Sequence, residues 1–150
     1  MTTAVPAVRN AVRTWLENYE AGDTILVAVS GGADSLALAH ALSIESKEFV
    51  ISVIGVTVDH QLQEQSGAQA DKVKAQLKEF GIDCIIKKVV VNLQDGLEAS
   101  ARKARYDALQ EVAQAQNAVA VFLGHTRDDQ AETVLLGLAR GSGTRSLSGM

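Results

Sequence analysis

The chain has 150 residues, 47% of them apolar and 21% charged, with a formal net charge of −4. That length suits one domain with a substantial core, and no apolar run approaches the roughly 20 residues that span a bilayer. The acidic balance excludes a surface that is basic all over, and the single cysteine, Cys84, excludes an internal disulfide or a cysteine-rich metal site.

Residues Met1 to Asn10 lack the layout of a secretory signal, so the cytoplasm is the expected location and no membrane partner is expected. The first 20 residues read as a helix, with Val8, Val12, Trp15 and Tyr19 on one face, broken at Gly22-Asp23. Thr24 to Val29 is a short run rich in β-branched residues, the pattern of a strand buried on both faces. Ser30-Gly31-Gly32 ends it, and Leu36 to Leu42 resumes with helix formers. A second strand is expected over Val50 to Val58, closed by Asp59-His60. Ser66 and Gln69 have capping-box spacing at the start of a helix whose apolar face holds Ala70, Val73, Leu77 and Phe80. Gly81 is a natural stop for that helix. A third strand follows over Asp83 to Val91, a long helix over Leu97 to Gln116 and a fourth strand over Val119 to Leu123. A last helix is expected from Asp128 to Ala139, before a tail rich in glycine and serine.

Four rounds of strand and helix predict an α/β fold, doubly wound, with a mainly parallel sheet and helices on both faces. Ligands of such sheets sit beyond the carboxyl ends of the strands, where strand order reverses. Three polar segments fall there: Ser30 to Ser35, Asp59-His60, and Gly124 to Asp129. If the first and fourth strands are neighbours, the first and third segments share one crevice.

The loop Ser30-Gly31-Gly32-Ala33-Asp34-Ser35 suits an anion. Two glycines let the backbone approach a ligand, and the free N–H groups of a helix start favour negative charge. Asp34 would repel phosphate unless a cation lies between them, so the functional role that suits it is as a Mg²⁺ ligand or as partner of a water on Mg²⁺. A tight turn with a first-turn carboxylate would explain the glycine pair without any ligand. The loop lacks the lysine of the common phosphate-binding loop of NTPases. It does match the pyrophosphate loop Ser-Gly-Gly-x-Asp-Ser of the N-type ATP pyrophosphatases, and five fixed positions coincide by chance roughly once in a million starts.

The run Gly124-His125-Thr126-Arg127-Asp128-Asp129-Gln130-Ala131-Glu132-Thr133, at a predicted strand end, gathers three carboxylates within about one helical turn, with His125 just outside it. Asp129 with Glu132 has the spacing of a helix cap, but a cap needs neither His125 nor Asp128. Glu98, Arg102 and Arg105 make one stripe of the long helix, and Arg102, Lys103 and Arg105 are the densest basic cluster in the chain. A surface ion pair explains the stripe; phosphate binding explains the cluster equally well. Asp59-His60 is placed to contact adenine or ribose, although a polar pair is also simply where a strand stops. His40, Trp15 and Cys84 read as structural.

Together these segments resemble the tRNA(Ile)-lysidine synthetase family of the PP-loop superfamily. The matching pieces are Ser30 to Ser35, Val58-Asp59-His60, Glu98 to Arg102 with Arg105-Tyr106, Gly124 to Thr133, and Arg140-Gly141-Ser142-Gly143 running on to Met150. The resemblance implies an adenine nucleotide alpha hydrolase-like fold, with ATP and Mg²⁺ as cofactors and ATP bound by Ser30, Gly31, Gly32, Ala33, Asp34, Ser35, Asp59 and His60. It implies catalytic roles for Asp34, Arg102, His125, Asp128, Asp129 and Glu132, with Asp34 and Asp129 toward the metal. The implied partners are free L-lysine and a tRNA(Ile) whose wobble base is cytidine; a homodimer is left open. Residues 1–150 would be the ATP-binding catalytic domain, incomplete at its C-terminal end, with tRNA-binding regions beyond residue 150. Two other readings remain: a tRNA thiolase of the same superfamily, which needs more cysteines than Cys84, and a nucleotide-binding sensor, which has no use for the acidic run.

Overall fold

A computed structural model describes residues 4–61, 64–91, 96–125 and 130–134. The elements in chain order are α1 (Ala4–Leu16), β1 (Thr24–Ala28), α2 (Ala33–Phe49), β2 (Ser52–Asp59), α3 (Ser66–Glu79), β3 (Asp83–Lys88), α4 (Leu97–Ala115), β4 (Ala120–His125) and β5 (Gln130–Val134). They form one sheet of order β3-β2-β1-β4-β5. Its first four strands are parallel, and β5 runs antiparallel to β4.

Alternation along β1 divides the core into two layers. Ile25 and Val27 point into a cluster with Leu38 and Leu42 of α2, Val73 and Leu77 of α3, and Val12 and Leu16 of α1. Leu26 and Ala28 point the other way, against Leu109, Val112 and Ala113 of α4. A strand covered on both faces has no polar side to show, and that is why this run carries no alternating polar residues. Phe122 of β4 is fully buried, with the Trp15 ring 5.7 Å and the Tyr19 ring 6.3 Å away. Each tilted aromatic pair contributes about 0.5–1.5 kcal/mol beyond burial. At Gly55 of β2 a β-carbon would overlap Leu77 Cδ1, so the glycine lets α3 seat directly on the sheet.

Three expectations are corrected. The helix expected from Asp128 to Ala139 is not what forms at Gln130–Val134, which is strand β5 in register with β4, Glu132 opposite Leu123. The β-branched pair Thr133-Val134 suits a strand, and pairing satisfies the outer edge of β4. The capping box is absent: α3 starts after Gln65 with no side-chain cap, and Gln69 is turned elsewhere. The second strand begins at Ser52 rather than Val50, because Val50 caps α2 in the left-handed conformation, φ 57° and ψ 46°. His40 stacks on Phe80 at 4.6 Å, the packing role expected of it.

Candidate functional site

The strand order has its reversal beside β1, between β2 on one side and β4 on the other. Here the chain leaves β1 through Val29 and Ser30, enters Gly31-Gly32 and begins α2. Val29 N–H donates to Val56 O at 2.9 Å, which ties the start of the loop to β2. Gly31 then takes φ +101°, a value that side-chain-bearing residues rarely adopt. A β-carbon on it would come within 2.5 Å of Gln69 Nε2 and 3.3 Å of Val73 Cγ2. The backbone conformation demands glycine here, and a larger residue would also displace the end of the Gln69 side chain.

Ser35 closes the loop from inside. It is buried, its Oγ accepts from Ser30 N–H at 3.2 Å, and its hydroxyl donates to Gly32 O at 3.1 Å. Ser30 is exposed at the mouth of the loop, 3.4 Å from Ser35 Oγ. Gly32 is the residue that precedes α2 and brings no side-chain cap. The first N–H groups of the helix, those of Ala33, Asp34 and Ser35, thus receive no cap from Gly32, and an uncapped helix start attracts anions. The backbone of Asp34 lies in this first turn; its side chain lies outside the described residues.

Beside the loop is a cleft of about 510 Å³, walled by the ends of β1 and β2, the start of α3 and one residue of α4. Its polar lining includes Ser30, Asp59, His60, Gln69 and Arg105. Asp59 is buried, and its Oδ1 accepts Gln61 N–H at 2.9 Å, so the carboxylate shapes the turn after β2. The Nδ1 of His60 is buried with no hydrogen-bond partner among the described residues. Burial lowers the His60 pKa below the usual value and the Arg105 charge lowers it further, with Asp59 opposing. His60 is thus held toward its neutral form.

The two arginines of α4 separate. Arg105 lines the cleft, whereas Arg102 is exposed with its guanidinium 5.5 Å from the Tyr106 ring centroid. The sequence stripe did not distinguish them. Gln69 is the other group missed by sequence reasoning, because its spacing from Ser66 pointed to a cap. The backbone of His125 ends β4, and β4 is the neighbour of β1, so the first and third polar segments do leave the sheet at one end. His125 pairs in register with Gln130. The side chains of His125 and Glu132, and all of Asp128 and Asp129, lie outside the described residues.

Cys84 is buried in the core below α3, and burial pushes its thiol up to about 11. No group of three or more potential metal ligands occurs among the described residues. Nor is any helix among them long and apolar enough to cross a membrane.

The PP-loop domain family matches residues 6–150. The chain is 54% identical over 147 residues to a tRNA(Ile)-lysidine synthase of Thermobifida fusca, covering 97% of this chain and 45% of that one. It is 58% identical over 127 residues to the tRNA(Ile)-lysidine synthase of Streptomyces coelicolor, covering 84% and 36%. The chain therefore spans less than half the length of these curated relatives. Among solved structures it is similar to the U34-tRNA thiolase NcsA of Methanococcus maripaludis, with a TM-score of 0.71 at 19% identity over 84% of this chain and 46% of that one. It is also similar to an NH3-dependent NAD synthetase of Campylobacter jejuni, with a TM-score of 0.57 at 16% identity over 79% and 53%. At these identities the two structures bear on the fold alone.

Proposed function

We propose a function from one premise: the chain belongs to the PP-loop domain family. It is the ATP-using catalytic domain of a tRNA(Ile)-lysidine synthase. The observation that carries this is the Ser30–Ser35 loop, an uncapped helix start under a positive-φ glycine, opening on the cleft at the sheet's reversal point. The likeness to the Thermobifida and Streptomyces enzymes supplies the reaction class.

In this reading the C2 carbonyl oxygen of a wobble cytidine attacks the α-phosphorus of ATP. The bond to the bridging oxygen breaks and pyrophosphate leaves. The uncharged ε-amine of free lysine then attacks C2, and AMP departs with the C2 oxygen. The protein's part is to position phosphates and to neutralise charge that grows on them. The loop N–H groups and the Ser30 hydroxyl hold the leaving pyrophosphate. Arg105 stands beside the cleft as the cation toward the phosphates, with Arg102 exposed one turn earlier. Neutral His60 and the Asp59 turn border the nucleoside. His125, Asp128, Asp129 and Glu132 act on the lysine cation and its proton.

A magnesium ion needs only one or two carboxylates together with substrate phosphates. The uncapped first turn of α2 puts the Asp34 backbone beside the phosphate-binding N–H groups, which fits a metal brought in by ATP. Asp34 and Asp129 would hold it, and it would supply Lewis-acid stabilisation of the phosphates. A thiolase activity is disfavoured by Cys84, whose raised pKa and burial keep it an unreactive thiol. Mass spectrometry of tRNA(Ile) incubated with the full-length protein, ATP and lysine tests the reading. Lysidine and stoichiometric pyrophosphate are expected with lysine, and much less product with ornithine or arginine. ATP binding without any tRNA-dependent pyrophosphate would make the protein a nucleotide sensor and overturn the proposal.

A further inference from the structure

A second cleft, of about 440 Å³, lies between the end of β3 and α4. Lys87, Lys88 and Lys103 line it, together with Val90, which is 85% exposed. We infer that this cleft is a docking surface for the phosphate backbone of the RNA substrate. The inference rests on the ligase reading above, since it takes RNA to be the substrate.

Three observations support it. First, β3 is parallel to β2 and ends beside it, Lys88 in register with Asp59, so the second cleft opens at the same end of the sheet as the nucleotide cleft. Second, the two clefts share structural parts. α4 turns Arg105 into one and Lys103 into the other. Gln61, at φ 57°, bridges them: its N–H donates to Asp59 Oδ1 and its side-chain amide donates to Val89 O at 3.1 Å. An RNA held in the second cleft is therefore held close to the activated phosphate.

Third, the charges lie at the surface. Two carboxylates line the cleft as well, and they are engaged: Lys87 pairs with Glu111, and Lys103 with Asp107 at 2.9 Å. Ion pairs at the protein surface contribute little to stability, so a lysine exchanges carboxylate for phosphate at small cost. Lys88 is exposed and pairs with no carboxylate among the described residues. The surface offers two or three phosphate contacts, consistent with an acidic domain that relies on other regions for most of its RNA affinity. The competing explanation is that lysines on β3, an edge strand, only prevent edge-to-edge pairing.

Filter binding of tRNA(Ile) to the full-length protein, measured from low to moderate salt, decides between them. Lys88→Glu with Lys103→Glu should weaken binding at least tenfold at low salt. It should also flatten the slope of log affinity against log salt by about 1.4–1.8, the loss of two phosphate contacts. Lys88→Ala alone should flatten it by about half as much, with the affinity for ATP unchanged in both variants. Unchanged slopes in both would overturn the inference. A flattened slope in a protein that makes no lysidine would keep the surface and sink the ligase reading; lysidine formation with unchanged slopes would do the reverse.

Discussion

The side-chain amide of Gln69 occupies the space that a β-carbon on residue 31 would need, with Nε2 2.5 Å from that position. One residue at the start of α3 and one in the loop before α2 thus set the shape of the loop together.

Gly31→Ala should be damaging for two separable reasons. The positive φ costs about 1–3 kcal/mol for a residue with a β-carbon, and the new methyl also displaces Gln69. The variant should melt lower and lose at least tenfold in ATP affinity by calorimetry. Adding Gln69→Ala relieves the contact but not the backbone strain. The double variant should therefore recover only part of the affinity; full recovery would show that the φ value is not a constraint.

Asp34→Asn should leave the melting temperature within a few degrees of the parent and abolish tRNA-dependent pyrophosphate release. The reasoning is that a carboxylate in a phosphate loop makes sense only with a cation between them. Turnover near the parent's under saturating Mg²⁺ would reduce Asp34 to a first-turn carboxylate.

Glu45 is only 3% exposed and is held by Arg9 at 2.5 Å and Arg13 at 2.7 Å, which fastens α1 to α2. Burial pushes its pKa up, but the hydrogen bonds and charges of Arg13 and Arg9 outweigh burial and leave it below the ordinary 4.5. A lowered native pKa stabilises the fold above the unfolded value, and that stability is lost as pH falls through the native one. Glu45→Gln should destabilise by about 1 kcal/mol at neutral pH. It should also flatten the loss of stability below about pH 4.5, read from urea denaturation at several pH values. A parallel offset at every pH would mean that the charge is irrelevant and only packing is lost.

Val50 is a β-branched residue in the left-handed region, 65% exposed, with nothing to gain from its side chain there. Relief of about 1–2 kcal/mol of strain, less the extra unfolded-state entropy of glycine, predicts that Val50→Gly stabilises by about 0.5–1 kcal/mol. Chemical denaturation measures this directly. A lower midpoint would mean that the exposed valine contributes packing.

Much of the architecture was legible in the chain, because its signals are local. β1 reads as a buried parallel strand since Ile25, Leu26 and Val27 leave no polar face, and α3 shows its buried side through Ala70, Val73 and Leu77. The pyrophosphate loop is legible for the same reason: the glycines that its turn requires are adjacent in sequence. Relations between distant segments were not legible. Periodicity on α4 put Arg102 and Arg105 on one stripe, and only the packed sheet decided that Arg105 borders the cleft while Arg102 lies over Tyr106. Spacing made Gln69 a capping residue, yet the seating of α3 on β2 and β3 turned it onto Gly31 in the loop after β1. Helix formers in Gln130–Val134 suggested a helix, but the open edge of β4 offered backbone hydrogen bonds that outweigh propensities of a few tenths of a kcal/mol per residue. Local pattern determined which elements form and where an anion can bind. Which side chains meet beside that loop was decided by contacts between elements far apart in the chain, whose energies no local window contains.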